Sequence, residues 1–190
     1  MVKSRVVDID QLGGYDPVWK YMPAENPHGT TSLPSHVTDK AIHTARTKSP
    51  DRLLIHYMQP HDPFLAHATE RGELLEYERR PFDELRAGNV SKDTLWNAYM
   101  DNLRFVLDEI KRLLSNIDAE QVLITADHGE LFGRILHSHA PGILHPDLRR
   151  VPWVRTTARD EETSHPDPIT QDESAEETDA EQRLKDLGYL

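Results

Sequence analysis

The feature that most constrains the fold is a long amphipathic segment between two short apolar runs. Between residues 93 and 116, apolar side chains recur at the spacing of a helix with one buried stripe. The stripe comprises Leu95, Tyr99, Leu103, Val106, Leu107, Ile110, Leu113 and Leu114. The flanking runs, 52–58 and 121–126, have the length and composition of strands buried on both faces. Strands that alternate with long helices indicate an α/β fold with parallel strand pairing.

Two further elements fit this pattern. Ser35 is a candidate cap for a helix that ends before Pro50, since the residue that precedes a proline disfavours the helical conformation. One face of this helix carries Val37, Ala41 and Ala45. A third, weaker strand is predicted at 151–155, where Pro152 suits a sheet edge or a strand start.

Proline, glycine and charge divide the chain into four parts. An irregular leader is predicted at 1–32, a folded domain at 33–158, a disordered acidic linker at 159–181 and a short helix at 182–190. The linker carries ten carboxylates against one basic side chain, whereas the part before residue 159 has 22 acidic and 19 basic side chains. No basic surface of the kind that binds nucleic acid is therefore expected.

Composition also bears on the cellular compartment. The chain has no cysteine, which excludes disulfides, zinc-thiolate sites and a cysteine nucleophile. Seven lysines against fifteen arginines, with a net charge of -11, suggest a halophilic, salt-adapted cytoplasm. No segment reaches the roughly 18 apolar residues of a membrane span, and no apolar signal core follows the first residues. A cytoplasmic protein without a membrane partner is expected.

An Asp–His pair, Asp127 and His128, follows the second apolar run directly. Ligand sites of parallel α/β folds open at the carboxyl ends of strands, which is where this pair is expected. An Asp oxygen and a neutral His nitrogen offer two ligands to one divalent ion. Gly129 is expected to let the backbone turn sharply, and Glu130 to orient the imidazole. The alternative is that Asp127 caps a helical turn and His128 is an ordinary loop residue.

His61 follows the first apolar run and is expected at the same rim of the sheet. Pro60 and Pro63 stiffen its loop. A histidine presented in this way can donate a hydrogen bond to a phosphoryl or sulfuryl oxygen, or protonate a leaving group. The alternative is a turn in which the ring packs against Phe64 and Asp62 is a turn residue.

Three more histidines, His137, His139 and His145, come between the Asp–His pair and the third strand. A histidine here can contact substrate oxygens or supply another metal ligand, and His139 is the favoured candidate. The alternative is a set of ordinary surface histidines, since the chain has 11 in all. His56, inside the first apolar run, is expected to be a hydrogen-bonded core residue.

The order of these motifs resembles the latter half of sulfatase-like hydrolases of the alkaline phosphatase superfamily. The resemblance covers about residues 30 to 153 and the last seven residues. It rests on Pro60-His61-Asp62-Pro63-Phe64, the long helix, Ile124-Thr125-Ala126-Asp127-His128-Gly129-Glu130, a histidine at 139, Leu148-Arg149-Arg150-Val151-Pro152-Trp153 and the closing Leu184-Lys185-Asp186-Leu187-Gly188-Tyr189-Leu190. It implies the carboxy-terminal portion of an alkaline-phosphatase-like layered parallel sheet flanked by helices.

The resemblance also implies residue roles. Asp127 and His128 correspond to ligands of a divalent ion, which can be calcium, manganese, magnesium or zinc. His61 corresponds to a contact with the transferred group or leaving oxygen, and His139 to a contact with a substrate oxygen. The family also needs acidic ligands from an early strand and a modified Cys, Ser or Thr nucleophile near Pro-x-Arg. Neither is present upstream of residue 52.

The expected function is therefore a metal-dependent hydrolase of sulfate or phosphate esters, acting on a small molecule or glycan. Because the nucleophile motif is missing, we expect a truncated chain that is inactive without a separate nucleophile-bearing half. One alternative is a non-catalytic metal-binding or interaction module. The other is a phospho-head-group transferase of the same superfamily, because the same histidines serve both chemistries.

Overall fold

A computed structural model describes residues 12–21, 31–133, 137–139 and 142–167. The helices are a one-turn 3-10 helix, Val18–Tyr21, then α1 Pro34–Lys48, α2 Ala68–Arg71, α3 Glu76–Arg79, α4 Pro81–Ala87, α5 Lys92–Leu114 and α6 Pro146–Arg149. The strands are β1 Ala119–Thr125, β2 Leu131–Phe132, β3 His137–Ser138 and β4 Trp153–Ala158. The architecture is therefore α/β in the general sense, with helices and small antiparallel sheets.

The long central helix predicted from the apolar stripe is confirmed as α5. It begins after Ser91, whose hydroxyl accepts a hydrogen bond from the Thr94 N–H at 3.0 Å and so caps the first turn. The buried side differs from the predicted stripe, because Leu107 is exposed whereas Asn102 is completely buried. A polar residue therefore occupies the centre of the apolar face.

Helix α1 is also present, with a different start. Pro34 occupies its first turn, and the preceding Leu33, not Ser35, is the N-cap residue. The helix ends at Lys48, and its C-cap residue Ser49 has a φ of 42°, in the left-handed region. A core cluster then joins α1 to the end of α5 through Ala41, Ile42, Leu113 and Ile117.

The strand pairing predicted for the domain is corrected by the structure. Strands β1 and β4 pair antiparallel, with Leu123 opposite Arg155 and Ile124 opposite Val154. A parallel return needs a crossover that spans the sheet, usually a long helix. In the described part of this connection lie only the β2–β3 hairpin and the four-residue α6, so the chain re-enters the sheet at the same end at which β1 finishes, with Trp153 opposite Thr125.

The apolar runs are less buried than the sequence predicts. Residues 52–58 form no strand, and the side chain of Leu54 is 95% exposed, while Ile55 packs against the α1–α5 cluster. In β1, half-buried Val122 and Ile124 alternate with exposed neighbours. Burial on both faces requires covering layers on both sides, and the two-stranded β1–β4 sheet has a covered and an open face.

The acidic coil after β4 is attached to the helices over its first residues. The Arg46 guanidinium binds the Asp160 carboxylate at 2.7 and 2.8 Å and the Ser164 carbonyl at 2.8 Å. Asn116, fully buried, accepts from the Ser164 N–H at 2.7 Å. The linker predicted from residue 159 is thus ordered by α1 and α5 up to residue 164, whereas 168–181 lie outside the described residues.

Two sequence predictions concern parts that the structure describes incompletely or leaves out. Of the predicted leader, residues 12–21 and 31–32 are described, and the only regular element there is the 3-10 helix. The predicted helix at 182–190 lies outside the described residues. Across the part of the chain that the structure describes, no helix combines the length and apolar character needed to cross a membrane.

Candidate functional site

A second core cluster positions the candidate site. Phe64 follows the His61 loop, Phe132 lies in β2 just after the Asp127–Glu130 turn, and both pack with Leu85 and with Leu95 of α5. Tyr99 of α5 also contacts Phe132, with ring centroids 4.9 Å apart. This apolar cluster brings two segments that are distant in sequence to the same side of α5.

Three histidine rings lie in contact at the candidate site. His139 stacks on His128, with centroids 4.2 Å apart, and the edge of His61 approaches His139 at 5.0 Å. The sequence predicts His61, His128 and His139 for one site from three separate motifs. The structure brings all three into ring contact.

Asp62 sets the hydrogen bonding and the protonation state of the His61 imidazole. The Nδ1–H donates to the Asp62 carbonyl at 2.6 Å and lies 2.9 Å from the Asp62 carboxylate, both of which are acceptors. Burial disfavours the charged ring, but the hydrogen bonds and charge of Asp62, with the charge of Glu130, outweigh this and raise the pKa of His61 to about 9. The ring is therefore protonated at neutral pH, and its Nε2–H is available as a donor or acid.

The Asp127–His128 turn is more open. The side chain of Asp127 is 58% exposed, and its carboxylate accepts from the His128 N–H at 3.1 Å. The Nδ1–H of His128 donates to the Gly129 carbonyl at 2.9 Å, which puts the lone pair of the neutral ring on Nε2. That Nε2 lies 3.7 Å from an Asp127 oxygen.

Glu130 contacts a different histidine from the one predicted. Its carboxylate is 3.2 Å from Nδ1 of His139, whereas His128 is oriented by the Gly129 carbonyl. The Glu130 side chain is only 7% exposed, and its Oε1 has no hydrogen-bond partner among the described residues. A carboxylate accepts from the Nδ1–H, so His139 directs Nε2 away from Glu130.

Gly129 is needed here for close packing. A Cβ built on Gly129 would lie 1.8 Å from the Asp147 carbonyl oxygen, and the Gly129 N–H donates to the Leu148 carbonyl at 3.0 Å. Its φ is not positive, in contrast to Gly72, Gly88 and Gly142, so the predicted sharp turn is not what requires glycine. The turn is docked directly on α6.

The remaining histidines lie apart from this group. Nε2 of His137 is 3.0 Å from the Arg86 guanidinium, and its ring stacks on Phe82. His145 caps α6, where its Nδ1 accepts from the Asp147 N–H at 3.2 Å. His56 is exposed, so its prediction as a core residue is wrong. Among the described residues, no strand pairs with its run to cover this side chain.

Asn102 is the site residue that the sequence motifs miss. It lies at the centre of α5, and its side chain makes three hydrogen bonds to the backbone of the His61 loop. A signal was present in the sequence, because an amide interrupts the apolar stripe between Tyr99 and Val106. Buried polar groups of this kind are retained where they satisfy other buried polar groups.

The donor set fits a divalent ion only in part. Two donors about 2.1–2.5 Å from one ion lie roughly 3–4 Å apart, which agrees with the 3.7 Å between His128 Nε2 and Asp127 Oδ2. Within residues 12–21, 31–133, 137–139 and 142–167, however, no three His, Asp or Glu side chains converge to hold a metal. The pair can fill two coordination positions, and other donors must complete the shell.

A cavity adjoins the histidines on the α6 side. Its volume is about 310 Å³, and its lining includes His128, His139, Leu148 and Arg149. The guanidinium of Arg149 provides a donor for an anionic group at this cavity. Comparisons of the chain with family models, curated proteins and solved structures find no match.

Proposed function

We propose that the chain forms part of the active site of a metal-dependent hydrolase of sulfate or phosphate esters, of the sulfatase-like type. The convergence of His61, His128 and His139 carries this proposal. These residues come from three separate segments, yet the ring centroid of His139 lies 4.2 Å from that of His128 and 5.0 Å from that of His61. Three ordered motifs whose histidine rings are in contact support a shared chemical role better than an accidental surface pattern.

The side chains suggest a division of roles. Asp127 and His128 hold a divalent ion, which when bound stabilises negative charge on ester oxygens and activates a nucleophile. His61, protonated at neutral pH, donates through Nε2–H to a transferred-group oxygen or protonates the leaving oxygen. His139, held through Nδ1 by Glu130, contacts a substrate oxygen with Nε2.

The proposed active site also needs groups from a second polypeptide. The nucleophile and the other metal ligands come from a separate nucleophile-bearing half, whose strands join β1 and β4 in an alkaline-phosphatase-like layered sheet. Two observations support a missing sheet neighbour: Leu54 is 95% and Trp153 63% exposed. The substrate is a small-molecule or glycan ester, and the metal is calcium, manganese, magnesium or zinc.

Metal binding by the full chain tests the proposal. Calorimetric titration with manganese, calcium and zinc should give weak binding, because two protein ligands leave most positions to water. Asp127→Ala and His128→Ala should each abolish it. The matched control is the surface pair His67 and Asp101, whose Nε2 and Oδ2 lie 3.1 Å apart beside the Arg104 cation. Ala at either of these positions should leave binding unchanged.

The outcomes separate the alternatives. Absent binding, or binding that survives both substitutions at the Asp–His pair, contradicts the proposed metal site. In the same preparations, aryl sulfate and aryl phosphate should not be hydrolysed. Robust turnover that disappears in Asp127→Ala would show that no separate half is needed.

A second candidate is an interaction module, favoured by the exposed apolar side chains of Leu54, Leu123 and Trp153. Under this alternative, the open face of the β1–β4 sheet binds another protein and no metal is used. A wild-type chain without metal affinity would favour it. A phospho-head-group transferase of the same superfamily would use the same three histidines, and assays with a hydroxyl acceptor in place of water distinguish it from a hydrolase.

A further inference from the structure

The loop that carries His61 leaves three of its backbone groups to be satisfied by a side chain from outside the loop. Pro60 and Pro63 have no N–H to donate, and in the loop interior the carbonyls of Pro60 and His61 and the N–H of Leu65 face α5. Buried backbone groups of this kind require partners. The partner for all three is one side chain.

That side chain is Asn102. Its Oδ1 accepts from the Leu65 N–H at 2.9 Å, and its Nδ2 donates to the carbonyls of Pro60 and His61, each at 3.2 Å. Asn102 is fully buried on the apolar face of α5. An amide has both a donor and an acceptor end, so it can bind the loop on both sides of His61, which no apolar residue can do.

We propose that Asn102 is the positioning residue of His61: its three bonds to the loop backbone set the direction in which the imidazole faces His139. The role of His61 in ester cleavage rests on the proposed function. The positioning itself does not, because it is measured from the geometry of the rings. Asn102 acts through His61 and is not assigned a contact with substrate.

The chain offers a matched control two residues beyond the end of the same helix. Asn116 is also fully buried, and it also makes several hydrogen bonds, to the Arg112 carbonyl, the Thr163 hydroxyl and the Ser164 N–H. These bonds hold the acidic coil, not the His61 loop. Loss of either amide weakens folding through the same physics, so only an effect on His61 distinguishes Asn102.

The experiment is NMR on the full chain with isotope-labelled histidine. In the wild type, NOEs are expected between the rings of His61 and His139 and between those of His128 and His139. In Asn102→Ala, the His61–His139 NOE should disappear and the titration midpoint of His61 should move from about 9 toward the ordinary 6.5. The His128–His139 NOE should persist. In Asn116→Ala, both NOEs and the midpoint should be unchanged.

Two results would overturn the proposal. One is an Asn102→Ala chain that keeps the His61–His139 NOE and the midpoint. The other is an Asn116→Ala chain that loses them equally, which would indicate general loosening. If Asn102→Ala does not fold, the wild type decides: a scalar coupling across the hydrogen bond from the Leu65 N–H to the Asn102 carbonyl supports the proposal, and its absence contradicts it. No turnover is measured, so failure here is distinct from failure of the proposed hydrolase.

Discussion

The His61 loop and the Asp127–His128 turn meet at one site but are held differently. The loop is bound by the side chain of a fully buried Asn102, and its imidazole is paired with Asp62. The turn is docked on α6 through backbone contacts at Gly129, and its Asp127 is more than half exposed. The region proposed to donate protons is complete within this chain. The region proposed to hold a metal ion is exposed to solvent at Asp127.

This contrast has a physical reason. A proton donor needs a fixed direction and a tuned pKa, both of which neighbouring side chains of the same chain supply. A metal ligand gains its rigidity when the ion and the remaining ligands bind. The exposed carboxylate of Asp127 is therefore consistent with a metal ligand that becomes fixed only when the ion and the other ligands bind. Three measurements test the contrast, from the largest expected effect to the smallest.

The largest effect is expected at the backbone anchor of the turn. In Gly129→Ala, the new Cβ would overlap the Asp147 carbonyl oxygen, so α6 and the turn must separate. We expect a loss of ~3 kcal/mol in the free energy of unfolding, measured by urea denaturation. Gly14→Ala is the control, because a Cβ there meets nothing within 4 Å. A Gly129→Ala chain as stable as Gly14→Ala would show that the turn is not anchored at this contact.

An intermediate effect is expected from the His61 charge. Its pKa is raised to about 9 in the folded chain, so its contribution to stability is full below the unfolded pKa of ~6.5 and is lost as pH rises through about 9. The free energy of unfolding should fall by on the order of 2 kcal/mol across that window through this group. Urea denaturation at a series of pH values measures the fall.

His61→Gln should remove this pH dependence, whereas His56→Gln, at an exposed position, should keep it. Equal slopes in wild type and His61→Gln would mean that the His61–Asp62 pair does not stabilise the folded chain.

The smallest effects separate the two carboxylates. Asp62→Asn weakens the interaction with a buried imidazolium and should cost about 1 kcal/mol at pH 7. Asp127→Asn changes an exposed side chain bonded to its own neighbour, and stability should stay within about 0.5 kcal/mol. Thermal unfolding of the two variants at the same pH gives the comparison. A larger loss of stability for Asp127→Asn than for Asp62→Asn would indicate a structural role for the exposed Asp127 side chain.

Much of the site was predictable from its motifs, and part of the fold was not. His61, Asp127, His128 and His139 stood out because each follows an apolar run or a neighbouring motif, and these four lie together. Strand direction did not follow from the same reasoning, since antiparallel pairing of β1 and β4 depends on the path of the intervening chain. The identification of a metal site and of a hydrolase stays a prediction.

Three features depended on contacts between distant residues. The partner of Glu130 is His139, nine positions away across a hairpin, and not the nearby His128. The close approach that requires Gly129 comes from Asp147, and the amide that holds the His61 loop comes from Asn102. Spacing along the chain does not report such contacts, because their energies depend on which backbone groups are buried together.

By itself, the sequence determined where α1, α5, β1 and β4 form, through apolar periodicity and proline positions, since these preferences act among neighbours along the chain. It also determined that polar motifs follow the apolar runs. The tertiary structure alone decided that β1 and β4 run antiparallel and that the rings of His61 and His128 both contact the ring of His139. It also decided that Asn102 belongs to the site, because hydrogen bonds and close packing between distant segments exist only after the chain has folded.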